Sequence, residues 1–178
     1  MGNPILSDDA VGLAVTSKLK ELLDQAPLDR VDVLESTRAG FELIDLLHGY
    51  SHALIIDALA APQPEPGRMR FMSLENFAGS VRLVNPHELS VESAFKLAQR
   101  LNISMPAQVE IVAIDTADTL TLSEEMTAPV AAAVSSIAQQ VYDHLAGLQS
   151  ALSEQAENQT GHAGREEPPQ PFYPPQRD

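Results

Sequence analysis

The sequence predicts an α/β protein, a three-layer α/β/α domain whose mostly parallel, twisted sheet lies between two layers of helices. Two observations support this prediction. Short apolar runs typical of buried strands alternate along the chain with segments whose apolar residues recur at helical spacing. Two of the predicted strands run directly into an aspartate, Asp57 or Asp115. Ligands of open α/β sheets gather at that carboxyl edge.

Composition divides the chain near residue 149. We expect one α/β domain over residues 1–148 and a disordered Pro/Gln/Glu-rich tail over residues 149–178, which has too few apolar residues to order itself. A net charge of −14 makes nucleic acid and anionic membranes poor partners. The absence of cysteine excludes disulfides, thiolate metal sites and cysteine nucleophiles. No apolar run suits a membrane span and no basic leader is present, so we expect a cytoplasmic protein.

The first half of the domain opens on MGNPILSDDAVG, in which turn-forming residues lead to two carboxylates and the first turn of a helix. Apolar spacing predicts that this helix covers residues 9–25. A strand over 30–34 and a short helix over 41–47, closed by Gly49, follow. The continuous apolar run 53–56 predicts a parallel strand buried on both faces.

The second half begins with a weakly alternating stretch, residues 68–74, which predicts an edge strand. A helix capped by Ser90 and a strand over 109–114 come next. The longest helix carries apolar residues at helical spacing from Val130 to Leu148, with Pro129 in its first turn. A Gly-Asn loop in such a fold normally follows a strand, so we expect either that the sheet lacks a central strand or that Met1 is an internal methionine of a longer protein.

Three polar side chains converge if this fold is correct. Asp9 lies at the start of the first helix, Asp57 at the end of the buried strand, and His87 in the loop before the helix that follows Ser90. Two carboxylates and an imidazole suit a divalent transition metal with open positions for substrate. Each residue also has a structural interpretation, as a helix cap, a loop anchor or an exposed histidine. The sequence lacks the G-x-S-x-G and H-E-x-x-H hydrolase motifs.

Four stretches together resemble the hydrogenase maturation endopeptidases, which trim the C-terminal extension of the large subunit of nickel-iron hydrogenase. They match motifs of that family in order over about residues 1–148 and read GNPILSDDAVG, RAGFELIDLLHGYSHALIIDAL, NPHELSVESAFKLAQRL and QVEIVAIDTADTLTLSEEMTAPVAAAV. The first looks like the family's G-N-x-x-x-x-D-[DE]-x-x-G motif, and the third like its P-H-x-L stretch. The family's twisted sheet with helices on both faces agrees with the fold predicted above.

The resemblance implies a function and a set of site residues. It implies an aspartic-type or metal-dependent endopeptidase that cuts the large-subunit precursor after nickel insertion and uses the bound nickel as its recognition element. Asp9, Asp57 and His87 fall on the family's metal-binding positions, and Asp9 and Asp57 are the expected catalytic residues. The nickel belongs to the precursor, although a divalent metal held at rest is also compatible. Whether a metal activates water or a carboxylate such as Asp9 acts as general base stays open.

One departure from the family lies before the second predicted helix. Many relatives have D-G-G-T where this chain has Glu35, Ser36, Thr37 and Arg38. Arg38 adds charge near the expected cleft, and it either binds a carboxylate of the substrate tail or is a solvated loop residue.

Two other functions compete with the endopeptidase prediction. A non-catalytic nickel-binding or chaperone-like module that docks on the precursor would use the same three ligands. Peptidyl-tRNA hydrolases share the G-N-P opening, but their catalytic histidine has no counterpart between Ile5 and Val11, and the negative charge opposes tRNA binding.

Overall fold

The computed structural model describes residues 1–37, 41–74, 76 and 91–162. Its described strands are β1 (His52–Leu59), β2 (Met69–Ser73) and β3 (Gln108–Asp115), and they form one sheet in the order β1-β3-β2. The central strand β3 pairs in parallel with β1 and antiparallel with β2. The sheet of the described strands is therefore mixed, and its antiparallel member is the edge strand that the weak alternation predicts.

Helices cover both faces of this sheet. Helices α1 (Val11–Gln25) and α4 (Ala128–His162) pack on the face that carries Ile56, Val112 and Ile114. The opposite face carries Ile55, Leu59, Ile111 and Ala113, and Met1 and Leu47 connect it to the apolar residues of α2 (Glu42–Leu47) and α3 (Val91–Arg100). These contacts confirm the three-layer α/β/α architecture.

Burial explains why β1 and β3 are recognisable in the sequence. Residues 111–114 of β3 are fully buried, because helices lie on both sides of this central strand. Apolar side chains are therefore required at consecutive positions, and the strand has the continuous apolar run that parallel strands show. The predicted helix and strand boundaries agree closely with those observed for α1, α2, β1 and β3.

The predicted strand over residues 30–34 is wrong. Residues 31–36 form no strand, and Arg30 has a positive φ of 59°. A strand persists only when a neighbour accepts and donates its ladder hydrogen bonds, and no described strand pairs with this segment. The apolar side chains of Val31, Val33 and Leu34 are typical of a strand, but they cannot take the place of a neighbouring strand to pair with.

Helix α4 is longer than the sequence predicts. It continues past Leu148 to His162, so residues 149–162 of the predicted disordered tail are helical, and residues 163–178 lie outside the described part. Alanine, glutamine, glutamate and leucine in this stretch have good helix propensity, and a helix already started on the sheet extends at low cost. Among the described residues, no helix has both the length and the apolar character that crossing a membrane requires.

Candidate functional site at the carboxyl edge of the sheet

The opening loop is built around two backbone approaches that only glycine permits. A Cβ on Gly2, which has a φ of 142°, would lie 2.0 Å from the carbonyl oxygen of Asp9. A Cβ on Gly12 would lie 2.6 Å from the carbonyl oxygen of Ile56 in β1. Because both distances are far below van der Waals contact, these glycines let the loop and the start of α1 approach β1 closely.

Asn3 sets the position of Asp9 within this loop. The Asn3 backbone nitrogen donates a hydrogen bond to Asp9 Oδ2 at 2.8 Å, and the Asn3 side-chain oxygen accepts one from the Ile5 nitrogen at 3.2 Å. Burial raises the pKa of Asp9, while the hydrogen bond from Asn3 and the positive charge of the Met1 amino group act against this shift. The carboxylate of Asp9 is therefore oriented by the backbone and easier to protonate than an exposed aspartate.

Its neighbour Asp8 has a different role. Asp8 is fully buried, and its carboxylate accepts hydrogen bonds from the nitrogens of Ala117, Asp118 and Thr127 at 2.9, 3.0 and 2.7 Å and from Thr127 Oγ1 at 2.9 Å. These four bonds tie the opening loop to residues 116–127, the segment between β3 and α4. Asp8 is thus a structural anchor, and Asp9 is the member of the pair whose carboxylate is not used in this way.

Asp57 projects from the face of β1 that also carries Ile55 and Leu59. It lies two residues before the end of the strand, and its Oδ1 accepts a hydrogen bond from the Ala58 nitrogen at 3.0 Å. Burial lowers the pKa of the Met1 amino group, and the charges of Asp57, Asp9 and Glu35, in that order, oppose the shift. The Met1 nitrogen donates a hydrogen bond to the carbonyl oxygen of Ile56, the residue before Asp57. The opening loop that carries Asp9 therefore contacts β1 next to Asp57.

The two other predicted site residues are not placed. His87 and Arg38 lie outside the described residues, as does the predicted cap Ser90. Within the described ranges, no three histidine, cysteine or acidic side chains are grouped closely enough to hold a metal ion. The metal-ligand set of Asp9, Asp57 and His87 consequently remains a prediction, of which two members can be located.

An acidic depression lies at helix α2. Its described lining comprises Glu35, Ser36, Thr37, Glu42, Asp45 and Leu46, which come from the loop before α2 and from α2 itself. The charge of Glu35 is also one of those that oppose the lowering of the pKa of the Met1 amino group. One of its three carboxylates, Glu35, already forms an ion pair with Lys20 at 2.8 Å.

Sequence reasoning missed a buried ion pair on the same face of the sheet. Asp115 is fully buried at the end of β3, and its Oδ2 accepts hydrogen bonds from Arg70 Nη2 at 2.5 Å and from the Glu65 nitrogen at 3.0 Å. Asp115 was recognisable as an aspartate at a strand end. Nothing in the sequence indicated its partner, because the antiparallel register of β2 sets which side chain reaches it.

Comparison with known proteins adds a family relationship to this geometry. A family model described as hydrogenase maturation protease (HycI) matches residues 13–144. The hydrogenase 2 maturation protease of Escherichia coli strain K12 is 27% identical over 117 residues, which cover 64% of this chain and 68% of that protein.

Solved structures share the fold. The hydrogenase-maturating endopeptidase HybD from E. coli superposes with a TM-score of 0.66 at 23% identity, covering 82% of this chain and 88% of its own. The [NiFe] hydrogenase maturation protease HycI from Thermococcus kodakarensis superposes with a TM-score of 0.61 at 17% identity, covering 81% and 87%. At these identities the structures support the three-layer architecture and leave the residue roles to be argued from this chain.

Proposed function

This chain belongs to the hydrogenase maturation protease family, and from that premise we propose that it is the endopeptidase that removes the C-terminal extension of a nickel-iron hydrogenase large-subunit precursor. The observation that best supports a catalytic site is that the adjacent residues Asp8 and Asp9 have different hydrogen-bond partners. All four bonds of Asp8 go to the segment 116–127, whereas the Asp9 carboxylate accepts a hydrogen bond from Asn3 in the loop that contacts β1 next to Asp57.

We propose that Asp9, Asp57 and His87 recognise the nickel ion that the precursor already carries. Carboxylate and imidazole groups form a mixed donor set that suits a divalent transition metal. The ion is part of the substrate, so its presence marks a precursor that is ready to be cut. This chain's residues would then place the scissile peptide bond relative to the metal, and positioning of this kind can supply much of the lowering of a reaction barrier.

Cleavage adds water across the peptide bond, and that water has to lose a proton. A carboxylate accepts this proton more readily when its pKa is raised toward the working pH. Burial raises the pKa of Asp9, and its hydrogen bond from the Asn3 nitrogen holds the carboxylate in one orientation. We therefore assign the role of general base to Asp9, and the role of metal contact to all three residues.

A cleavage assay tests this function. Nickel-loaded and nickel-free precursors are mixed with the protein, and mass spectrometry follows the release of the C-terminal peptide. We expect release only from the nickel-loaded precursor, and we expect Asp9→Asn, Asp57→Asn and His87→Ala to lower its rate by at least about a hundredfold, the typical contribution of a positioned acid or base. Asp24→Asn and His52→Ala, which change exposed residues, serve as matched controls with unchanged rates.

Two results would contradict the proposal. If the folded protein binds the precursor and leaves its extension attached, it acts as a docking or chaperone-like module. If nickel-free precursor is cut equally well, the protein is a protease that does not use nickel as its recognition element. A far-ultraviolet circular dichroism spectrum of each variant shows whether a lost activity reflects lost folding.

A further inference from the structure

Arg70 shares a face of the sheet with Asp57. Both residues pair with Ala113 of the central strand, Asp57 from β1 and Arg70 from β2. Residues that are directly opposite in a sheet project to the same side, so the carboxylate and the guanidinium flank the small side chain of Ala113. Neighbouring strands are about 4.8 Å apart, so the backbones at Asp57 and Arg70 are separated by about 10 Å.

The buried Asp115 holds the guanidinium at this edge. Asp115 is 0% exposed, whereas the Arg70 side chain is 37% exposed, so the cation has one buried partner and one accessible side. The hydrogen bond to Asp115 uses Arg70 Nη2, which carries two of the five N–H donors of the guanidinium. Among the described residues, neither Arg70 Nε nor Asp115 Oδ1 has a hydrogen-bond partner, although both atoms are buried. Buried polar atoms are normally satisfied, so these two atoms keep hydrogen-bonding capacity that the described residues do not use.

The other described ion pairs of lysine and arginine differ from this pair. Lys18, Lys20 and Arg68 each contact an exposed glutamate, and pairs of that kind are solvated on both sides. Arg70 alone among these four cations is fixed by a fully buried carboxylate. A planar guanidinium held in one orientation is suited to bind a second carboxylate through two parallel hydrogen bonds.

From this geometry we propose that Arg70, anchored by Asp115, binds a carboxylate of the substrate's C-terminal extension at the exposed side of its guanidinium and thereby positions the extension. The inference rests on the proposed endopeptidase function. It assigns Arg70 to substrate positioning, outside the set of residues that contact the metal. The carboxylate is either the α-carboxylate at the end of the extension or an acidic side chain within it, and the two sources give the same chemistry at the guanidinium.

Changes in the substrate test the proposal without any risk to the folding of the enzyme. One precursor carries an extension with its acidic side chains replaced by amides, and a second carries additional residues that displace the α-carboxylate. We expect one of the two to raise KM for wild-type protein by about tenfold or more, with a smaller change in kcat, because the lost contact contributes mainly to binding. Unchanged KM values for both precursors would overturn the proposal.

Changes in the enzyme form the second test. We expect Arg70→Gln to raise KM for the native precursor about tenfold or more and to abolish the difference between native and altered extensions. We expect Arg70→Lys, which keeps the positive charge but cannot form two parallel hydrogen bonds, to raise KM less than Arg70→Gln does. Arg68→Gln is the matched control, since it removes the same charge two residues away from an exposed arginine, and it should leave KM unchanged.

The outcomes distinguish failure of the role of Arg70 from failure of the proposed endopeptidase function. If wild-type protein neither binds nor cuts the precursor, the endopeptidase function fails and the inference fails with it. If wild-type protein cuts and Arg70→Gln behaves like Arg68→Gln, only the role of Arg70 is refuted. If wild-type protein binds without cutting, the dissociation constants of the same variants and precursors replace KM and decide the role of Arg70.

Discussion

The buried carboxylate of Asp8 binds both polar groups of Thr127, the backbone nitrogen at 2.7 Å and the hydroxyl at 2.9 Å, immediately before helix α4. An acidic group at this place satisfies a free N–H of the helix start and is favoured by the helix dipole. The interaction joins residues 119 positions apart in the chain. One aspartate therefore connects the opening loop to α4, whereas the adjacent Asp9 accepts a hydrogen bond from Asn3 within the loop.

Replacing Asp8 should affect folding strongly. We expect Asp8→Asn to lower the free energy of unfolding by about 2–4 kcal/mol, because the amide NH2 group would face N–H donors and leave buried groups unpaired. Urea unfolding measures this loss. Asp9→Asn is the adjacent control and should change the free energy of unfolding by less than about 1 kcal/mol. Equal midpoints for wild type and Asp8→Asn would show that the four bonds contribute little.

The raised pKa of Asp9 predicts a pH-dependent stability. Burial favours the protonated carboxyl in the folded chain, so the stability contributed by Asp9 is complete below the ordinary aspartate pKa of about 3.9. This stability is lost as the pH rises through the higher pKa that Asp9 has in the folded chain. Asp9→Asn cannot lose this contribution. We therefore expect the free energy of unfolding of Asp9→Asn to increase relative to that of wild type as the pH rises across that interval, which means that the variant becomes relatively more stable. A difference that is constant with pH would contradict the assignment.

The ion pair of Arg70 and Asp115 predicts non-additive effects on stability. Asp115→Ala should lower the free energy of unfolding by about 2–4 kcal/mol, toward the lower end for a buried pair because Arg70 is partly exposed. The double variant Arg70→Met/Asp115→Leu should recover part of that loss, since it removes both charges and fills the space. Chemical denaturation of the single and double variants gives the coupling between the sites. Strictly additive changes would mean that the two groups do not interact in solution.

The close approach at Gly12 predicts a steric effect. A Cβ on Gly12 would overlap the carbonyl oxygen of Ile56, so Gly12→Ala should lower the free energy of unfolding by about 1–3 kcal/mol or more by separating α1 from β1. Gly147→Ala is the matched control, because a Cβ on this helical glycine meets nothing within 4 Å. That change should stabilise the protein by about 0.5–1 kcal/mol. Thermal unfolding distinguishes the two, and equal shifts would contradict the expectation.

Periodicity in the sequence predicted the elements that the core itself stabilises. Helix α1 and strands β1 and β3 bury one stripe or a whole run of apolar side chains, and those patterns are local. The strand over 30–34 failed because pairing depends on a partner that the segment's own residues cannot specify. The predicted end of α4 was wrong for a different reason. Its polar composition was interpreted as disorder, although these residues extend a helix that has already begun.

The candidate site divides in the same way. The sequence by itself determined the family, the layered fold and the candidates Asp9, Asp57 and His87, because short motifs and apolar spacing carry that information. Only the tertiary structure decided which of two adjacent aspartates is buried as an anchor and which arginine meets Asp115. Both choices depend on contacts between segments that are 45 to 119 positions apart, Arg70 with Asp115 and Asp8 with Thr127. Packing and strand register set such contacts, and neither property can be seen in a local pattern of residues.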